Sequence, residues 1–474
     1  MLSPTDNTMN SCEKEDMTPP LLASRLHLQI ALLLLAAIQL TCEAGSLQLV
    51  SGMDSGQTPP AGGGGDSYAP ILSSNGRFVL FASTANNLLT LSNKALLQQS
   101  SSPLNVYLHD RVHRRTRLVS MNLSGTAGGN GDSIPTGLSS DGRYALFESR
   151  ASDLVPNDTN NATDVFVRDM TSNTTLLVSV STNDGAANGV SRSSVMTPDG
   201  RYVAFVSESS NLVDNDTNRV PDVFLRDLQS QTTSLISVGA TPACHGAFFC
   251  GSESPDISAD GRYVAFYSSA TNLVSGVTNQ FGIYVRDTIA ETTILASTDA
   301  QTIMRSVFGA SSNIVSCNQA ISANGKYVAF QASMRVPALP SGLILRFSLE
   351  TGLTDIVNTN AYFPRSDIYY EIHTLSVTPD GRFIAFVANT NDNSGTTTCI
   401  YLWDAQTQTT TLVSGDLNGH VPIHSTCDWP TVDPTGRFVA FLSSATNLVT
   451  NPLDGDYHLY LRDLQEFDRG TGTG

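Results

Sequence analysis

Two stretches of the chain hold acid and amide oxygens at a spacing that a hard cation could use. Asp158, Asn160 and Asp164 form the first, and Asp216, Asn218 and Asp222 repeat it. Asp454 and Asp456 offer a looser version. Calcium takes about six to eight oxygens, so backbone carbonyls and water would have to complete either set. Neither full set has a glycine at the sharp turn or a glutamate following it. The same side chains can instead cap the loop backbone by local hydrogen bonds. A second constellation is His245, His373, His420 and His424. Imidazoles from distant parts of a chain, if gathered, suit a transition metal or general-base chemistry; scattered, they are only loop residues. Phe248, Phe249, Tyr369 and Tyr370 lie beside two of these histidines and could anchor a partner. The chain has no Gly-x-Ser-x-Gly elbow and no glycine-rich phosphate loop before a helix, so no catalytic residue is assigned.

These residues hang on a phrase written seven times. It reads DGRYVAF at 199–205, and its copies carry Gly76, Gly142, Gly200, Gly261, Gly325, Gly381 and Gly436. A period of 55–66 residues built from short β segments means a propeller or a solenoid. Residues 191–238 show the unit. The run SRSSVMT leads into a tight Pro-Asp-Gly turn, then RYVAFVS, a polar loop, PDVFLRD, a short turn and TTSLISV. Four antiparallel strands per unit are the composition of a propeller blade. No long 3.6-residue periodicity separates the units, so no helix is expected between them.

The seventh unit supplies three strands, at about 425–432, 437–444 and 456–463, and then only a polar tail remains. Residues 46–52, SLQLVSG, match the fourth strand TTTLVSG of the preceding unit. The expectation is an all-β fold, a seven-bladed propeller of four-stranded antiparallel blades closed by this N-terminal strand. A six-bladed ring is the rival. The domain plan is 1–44 leader and signal peptide, 45–464 propeller and 465–474 tail.

The recurring pattern [ST]-x-[DN]-G-[RK]-[YF]-[VI]-A-F-x-S, followed by D-[VI]-[FY]-x-R-D and T-x-L-[VI]-S, resembles the TolB-like, or WD40-like PD40, propeller repeat. The resemblance covers about residues 46–464. It implies a propeller fold and little about activity, because such repeats serve in periplasmic scaffolds, in peptidase propellers and in some lyases.

Composition narrows the partners. A net charge of −17 opposes a phosphate backbone, so nucleic acid is not an expected ligand. The one basic cluster, Arg111, His113, Arg114, Arg115 and Arg117, reads as a solvated hairpin tip. Residues 26–40 are apolar but short for a membrane span, with Arg25 before them and Cys42-Glu43-Ala44 after. This is the pattern of a secretory signal, which points to a secreted or periplasmic protein with no integral membrane segment after cleavage. Lipid anchoring at Cys42 is an alternative. Of the five later cysteines, Cys244 and Cys250 bracket one loop and are the expected disulfide; Cys399 and Cys427 are a weaker pair. The repeated Arg after each turn glycine and the repeated Asp of the RD pair read as inter-strand ion pairs, since a single site would not need a copy per unit.

In a propeller the connections between units and the loops between second and third strands share one face. The long, variable stretches 52–66, 84–103, 239–251, 299–314 and 359–371 are of this kind. The expectation is therefore an exported, monomeric, non-enzymatic scaffold that binds a protein or glycan partner on that face. The alternative is a polysaccharide-active lyase or hydrolase with its site at the channel mouth. No cofactor is certain; calcium is the candidate.

Overall fold

The computed structural model describes residues 66–85, 88–89, 103–241, 251–270, 272–277, 281–309, 314–334, 341–362, 374–390, 397–422, 425–449 and 458–464. The chain divides into Met1–Leu49, which lies outside these residues, and Val50–Gly474. The second unit is an all-β propeller. Its first sheet is β1 (Ser67–Leu72), β2 (Phe78–Ser83), β3 (Asn105–Asp110) and β4 (Arg115–Leu118). The second is β5 (Ser133–Leu138), β6 (Tyr144–Ser149), β7 (Asp164–Asp169) and β8 (Thr174–Leu177). The third is β9 (Ser191–Met196), β10 (Tyr202–Ser207), β11 (Asp222–Asp227) and β12 (Thr232–Leu235). The fourth is β13 (Ser252–Ile257), β14 (Tyr263–Ser268), β15 (Gly282–Asp287) and β16 (Thr292–Leu295).

The pattern then changes. β17 (Ile314–Ile321), β18 (Tyr327–Met334), β19 (Ser341–Ser348) and β20 (Thr354–Tyr362) continue into β22 (Phe383–Asn389), β23 (Thr398–Asp404) and β24 (Thr409–Leu412). With β21 (Leu375–Val377) paired to β22, this is one eight-stranded sheet. β25 (Cys427–Val432), β26 (Phe438–Ser443) and β27 (His458–Asp463) make a three-stranded sheet. The expectation of seven separate four-stranded blades is corrected: five sheets have four strands or more, and one of the five is the eight-stranded sheet. The cause is local. β21 is short and pairs only with Ile384–Phe386, which leaves the end of the β22 ladder open. β20 runs longer than the other fourth strands and takes that edge through Ala361 and Ala388. The segment 46–52, expected to close the ring, lies outside the described residues.

A second correction is a helix. α1 (Ala300–Phe308) occupies one of the long connections, ends on Gly309 and buries Ala300 and Met304. Ala300, Ile303, Met304, Val307 and Phe308 have helical spacing, but the stretch is too short to stand out among polar loops.

Within each unit the second strand is the core. Ala204, Phe205 and Val206 are fully buried, and Tyr202 is half-buried. Facing rings on second and third strands stack, as Phe147 does on Phe166 at 5.6 Å and Phe205 on Phe224 at 5.8 Å. The repeated arginine folds back over the aromatic that follows it, with Arg201 4.6 Å above the Tyr202 ring. It also forms a fork on the repeated aspartate, 2.8 Å from Arg201 Nη2 to Asp227 Oδ2. The same pair recurs as Arg143–Asp169, Arg262–Asp287, Arg382–Asp404 and Arg437–Asp463. These residues are structural, as their repetition implied.

Candidate functional site

Consecutive first strands pack on one another, β1 on β5, β5 on β9, β9 on β13, β13 on β17, β17 on β21 and β21 on β25. They therefore line the middle of the propeller. Their N-terminal ends lie on the face of the long connections, because those connections enter there. A buried serine pair marks this end in several sheets: Ser133 with Ser149 at 2.8 Å, Ser191 with Ser207 at 2.9 Å and Ser252 with Ser268 at 3.0 Å. Just past the serine, the first strands bulge. Ala69, Ser193, Ser254, Asn318 and Trp429 sit there with positive φ. A bulge re-aims side chains and is common beside functional sites.

What the bulges present differs from unit to unit. Tyr68, Ile134 and Trp429 are about half exposed there, at 52%, 50% and 52%. Trp429 holds φ 56°, a strained backbone for a bulky residue. On β9, Arg192 reaches across to the next sheet and grips Glu253 of β13 with both terminal nitrogens, the Nη2 to Oε1 distance being 2.6 Å. Glu208 approaches the same guanidinium at 3.7 Å. Glu148 accepts from the Ser194 backbone N–H at 2.8 Å and its hydroxyl at 2.9 Å. Burial raises the Glu253 pKa, against the opposing pull of Arg192. Deeper in, Asp256 is pushed up to about 6 by burial, although the backbone N–H groups of Ile321 and Ile257 bond it. Sequence reading missed this cluster. The signal available was that Arg192 and Glu253 occupy the same place in consecutive copies, SRSS and SESP, with opposite charge.

The residues singled out from sequence fall mostly elsewhere. His245, Phe248, Phe249, Tyr369, Tyr370, His373 and His424 lie outside the described residues, as do Cys244, Cys250, Asp454 and Asp456. His420 is exposed, in a turn where its backbone N–H donates to Asp416 Oδ1 at 2.9 Å. Cys399 and Cys427 are buried free thiols, not a disulfide. Cys427 Sγ lies 3.2 Å from Ser443 Oγ, in the place of the serine pairs above. Burial pushes Cys399 up to about 12.

The acid and amide sets are engaged with one another. Asn160 Nδ2 donates to Asp164 Oδ2 at 2.7 Å and to the Ala187 carbonyl at 2.8 Å, while its Oδ1 accepts from Ala162 N–H. Asp164 Oδ1 accepts from Ser179 Oγ at 2.7 Å. Asn218, Asp222, Ala240, Val220 and Ser237 repeat this network. Burial pushes Asp164 and Asp222 up to about 6. An amide nitrogen thus faces each buried carboxylate. Asp158 Oδ1 is buried without a hydrogen-bond partner, and burial raises the pKa of both Asp158 and Asp216. Among the described residues no group of three or more His, Cys, Asp or Glu is placed to hold a metal. Since Asn160 and Asn218 already bond the buried Asp164 and Asp222, excess chelator is expected to leave the melting temperature unchanged. A fall on chelation, abolished by Asp158→Ala and Asp216→Ala, would instead place calcium in these loops.

No protein-family model matches the chain, and no curated protein sequence does. Solved structures are similar in fold. Oligogalacturonate lyase in complex with manganese aligns with a TM-score of 0.46 at 13% identity, covering 84% of this chain and 88% of that one. TolB from Acinetobacter baumannii gives 0.32 at 15%, covering 76% of each. The β-propeller domain of the Trilobed protease from Pyrococcus furiosus gives 0.43 at 10%, covering 84% and 93%. The expected likeness to TolB-like propellers is met in fold, and at these identities the likeness reaches no further. No helix among the described residues is long and apolar enough to cross a membrane.

Proposed function

We propose that the chain is an exported, non-enzymatic scaffold that binds a protein or glycan partner on its long-connection face. The supporting observation is the row of bulged first strands. A serine frame repeats there, with Cys427 in its place on β25, while the residue just after it changes from Tyr68 to Ile134, Arg192, Glu253 and Asp428, the last followed by the exposed Trp429. A near-constant frame with variable side chains beyond it, the aromatics among them exposed, suits a recognition surface. Arg192 and Glu253 spend their charge on each other, which suits a rigid polar rim more than a reacting centre.

The test is binding of immobilised neutral and acidic oligosaccharides, together with crosslinking to secreted proteins, by the full chain and by Tyr68→Ala and Trp429→Ala. Binding should fall at least tenfold in the variants at unchanged melting temperature. Undiminished binding would remove this face from the reading. Turnover of an oligosaccharide, lost on Arg192→Ala with binding retained, would favour a polysaccharide-active enzyme instead.

A further inference from the structure

We propose that the cleft between the first and second sheets, on the face of the short hairpins, binds an organic anion through Arg115 and Arg117. The cleft is about 460 Å³, a volume that takes one or two sugar-sized rings. Arg115, Arg117 and Arg143 line it together with the carboxylates Asp110 and Asp141, and Phe78, Leu108 and Met170 give it an apolar part.

The argument rests on symmetry. Outer strands of the other four-stranded sheets begin TTLL, TTSL and TTIL, and β24 reads TTTL. β4 alone among these reads RTRL. The register makes the exchange explicit. Arg115 stands opposite Asp110 and Arg117 opposite Leu108, where β8 sets Thr174 opposite Asp169 and Leu176 opposite Val167. Parts repeated in every unit hold the fold, so two cations private to one unit serve something else.

The two carboxylates of the cleft are bonded elsewhere, Asp141 accepting from Ser139 Oγ and the Arg143 backbone N–H. Arg143 is committed to Asp169, and Asp110 is already bonded by Arg77 and His113. Among the described residues neither Arg115 nor Arg117 has an ion-pair partner. Arg117 donates to the neutral Asn173 Oδ1. Burial, and then Arg115, hold its pKa below the ordinary value. Arg168, 7% exposed and bonded to Thr175 Oγ1 at 2.8 Å, adds its charge to that of Arg117; Arg226 on Thr233 repeats it in the third sheet, so it belongs to the frame. Burial and the Arg117 charge depress Arg168 as well. Two neighbouring guanidiniums without ion-pair partners among the described residues, in a chain of net charge −17, are stabilised by an oxyanion, whose two oxygens match the guanidinium fork. The apolar wall selects an anion carried on an organic body over a bare ion.

Titration calorimetry with glucose 6-phosphate, glucuronate and inorganic phosphate tests this, the first two separating a phosphate from a carboxylate source. At least one of the two organic anions should bind tenfold or more tighter than inorganic phosphate, and more weakly as salt rises. The double variant Arg115→Thr/Arg117→Leu gives β4 the residues that β8 already carries, so the fold should persist with an unchanged melting temperature. It should lose at least tenfold in affinity. Absence of binding by all three probes, equal affinity for inorganic phosphate, or full binding by the double variant would each overturn the proposal. None of these outcomes bears on the opposite face, where the scaffold reading stands or falls by itself.

Discussion

Gly200→Ala is expected to destabilise the propeller by about 3 kcal/mol, far more than a surface turn glycine normally would. Two effects combine. Gly200 holds φ +76°, which an alanine enters only with strain. An added Cβ would also overlap the ring of Tyr144, closer than real Cβ contacts come. Tyr144 belongs to the preceding unit, so this turn is the seat on which one sheet rests against the next. The arrangement recurs as Gly142 under Phe78, Gly261 under Tyr202, Gly325 under Tyr263, Gly381 under Tyr327 and Gly436 under Phe383. Gly276 and Gly352 separate the two effects. Both have positive φ, 78° and 71°, and nothing stands within 4 Å of an added Cβ. Gly276→Ala and Gly352→Ala should therefore lose only about 1 kcal/mol, the backbone share. Urea unfolding of the three variants measures the difference. Equal losses would mean that the ring does not bear on the turn.

That contact shows what a repeated sequence reveals and what it hides. The turn and the Arg–Asp fork were legible because each is local or recurs at one register, so every copy votes for the same geometry. The merger of two units was not. It depends on the length of β20 against the shortness of β21, a difference of a few residues in segments that read alike. α1 escaped for a similar reason, as nine residues carry too little periodicity to outweigh their neighbours. The candidate site divides the same way. Asp164 and Asp222 were found as a pattern, but the hydroxyls of Ser179 and Ser237 that bond them lie a strand away and could not be read from the spacing. Arg192 and Glu253 were overlooked because each is a single departure from a serine-rich strand, and their pairing exists only once the sheets are side by side.

Arg192→Met should remove about 3 kcal/mol near neutral pH, much of it the penalty of leaving Glu253 charged and unpaired. The Glu253 side chain is 14% exposed, against 31% for Arg192, so the acid is the member with less recourse to water. The pH dependence identifies the mechanism. Burial already raises the Glu253 pKa in the folded state, and loss of Arg192 removes the charge that opposes this rise. The folded variant then binds a proton more tightly than the unfolded chain does. Its stability is accordingly retained below the unfolded pKa of a glutamate and lost as pH rises through the folded one. Unfolding at about pH 4 and about pH 8 should show wild type and variant converging in acid and diverging in base. Arg192→Met/Glu253→Leu carries no buried charge and should recover most of the loss at both values. A deficit that is the same at each pH, or that the double variant fails to repair, would show that Arg192 contributes packing across the first strands and not charge.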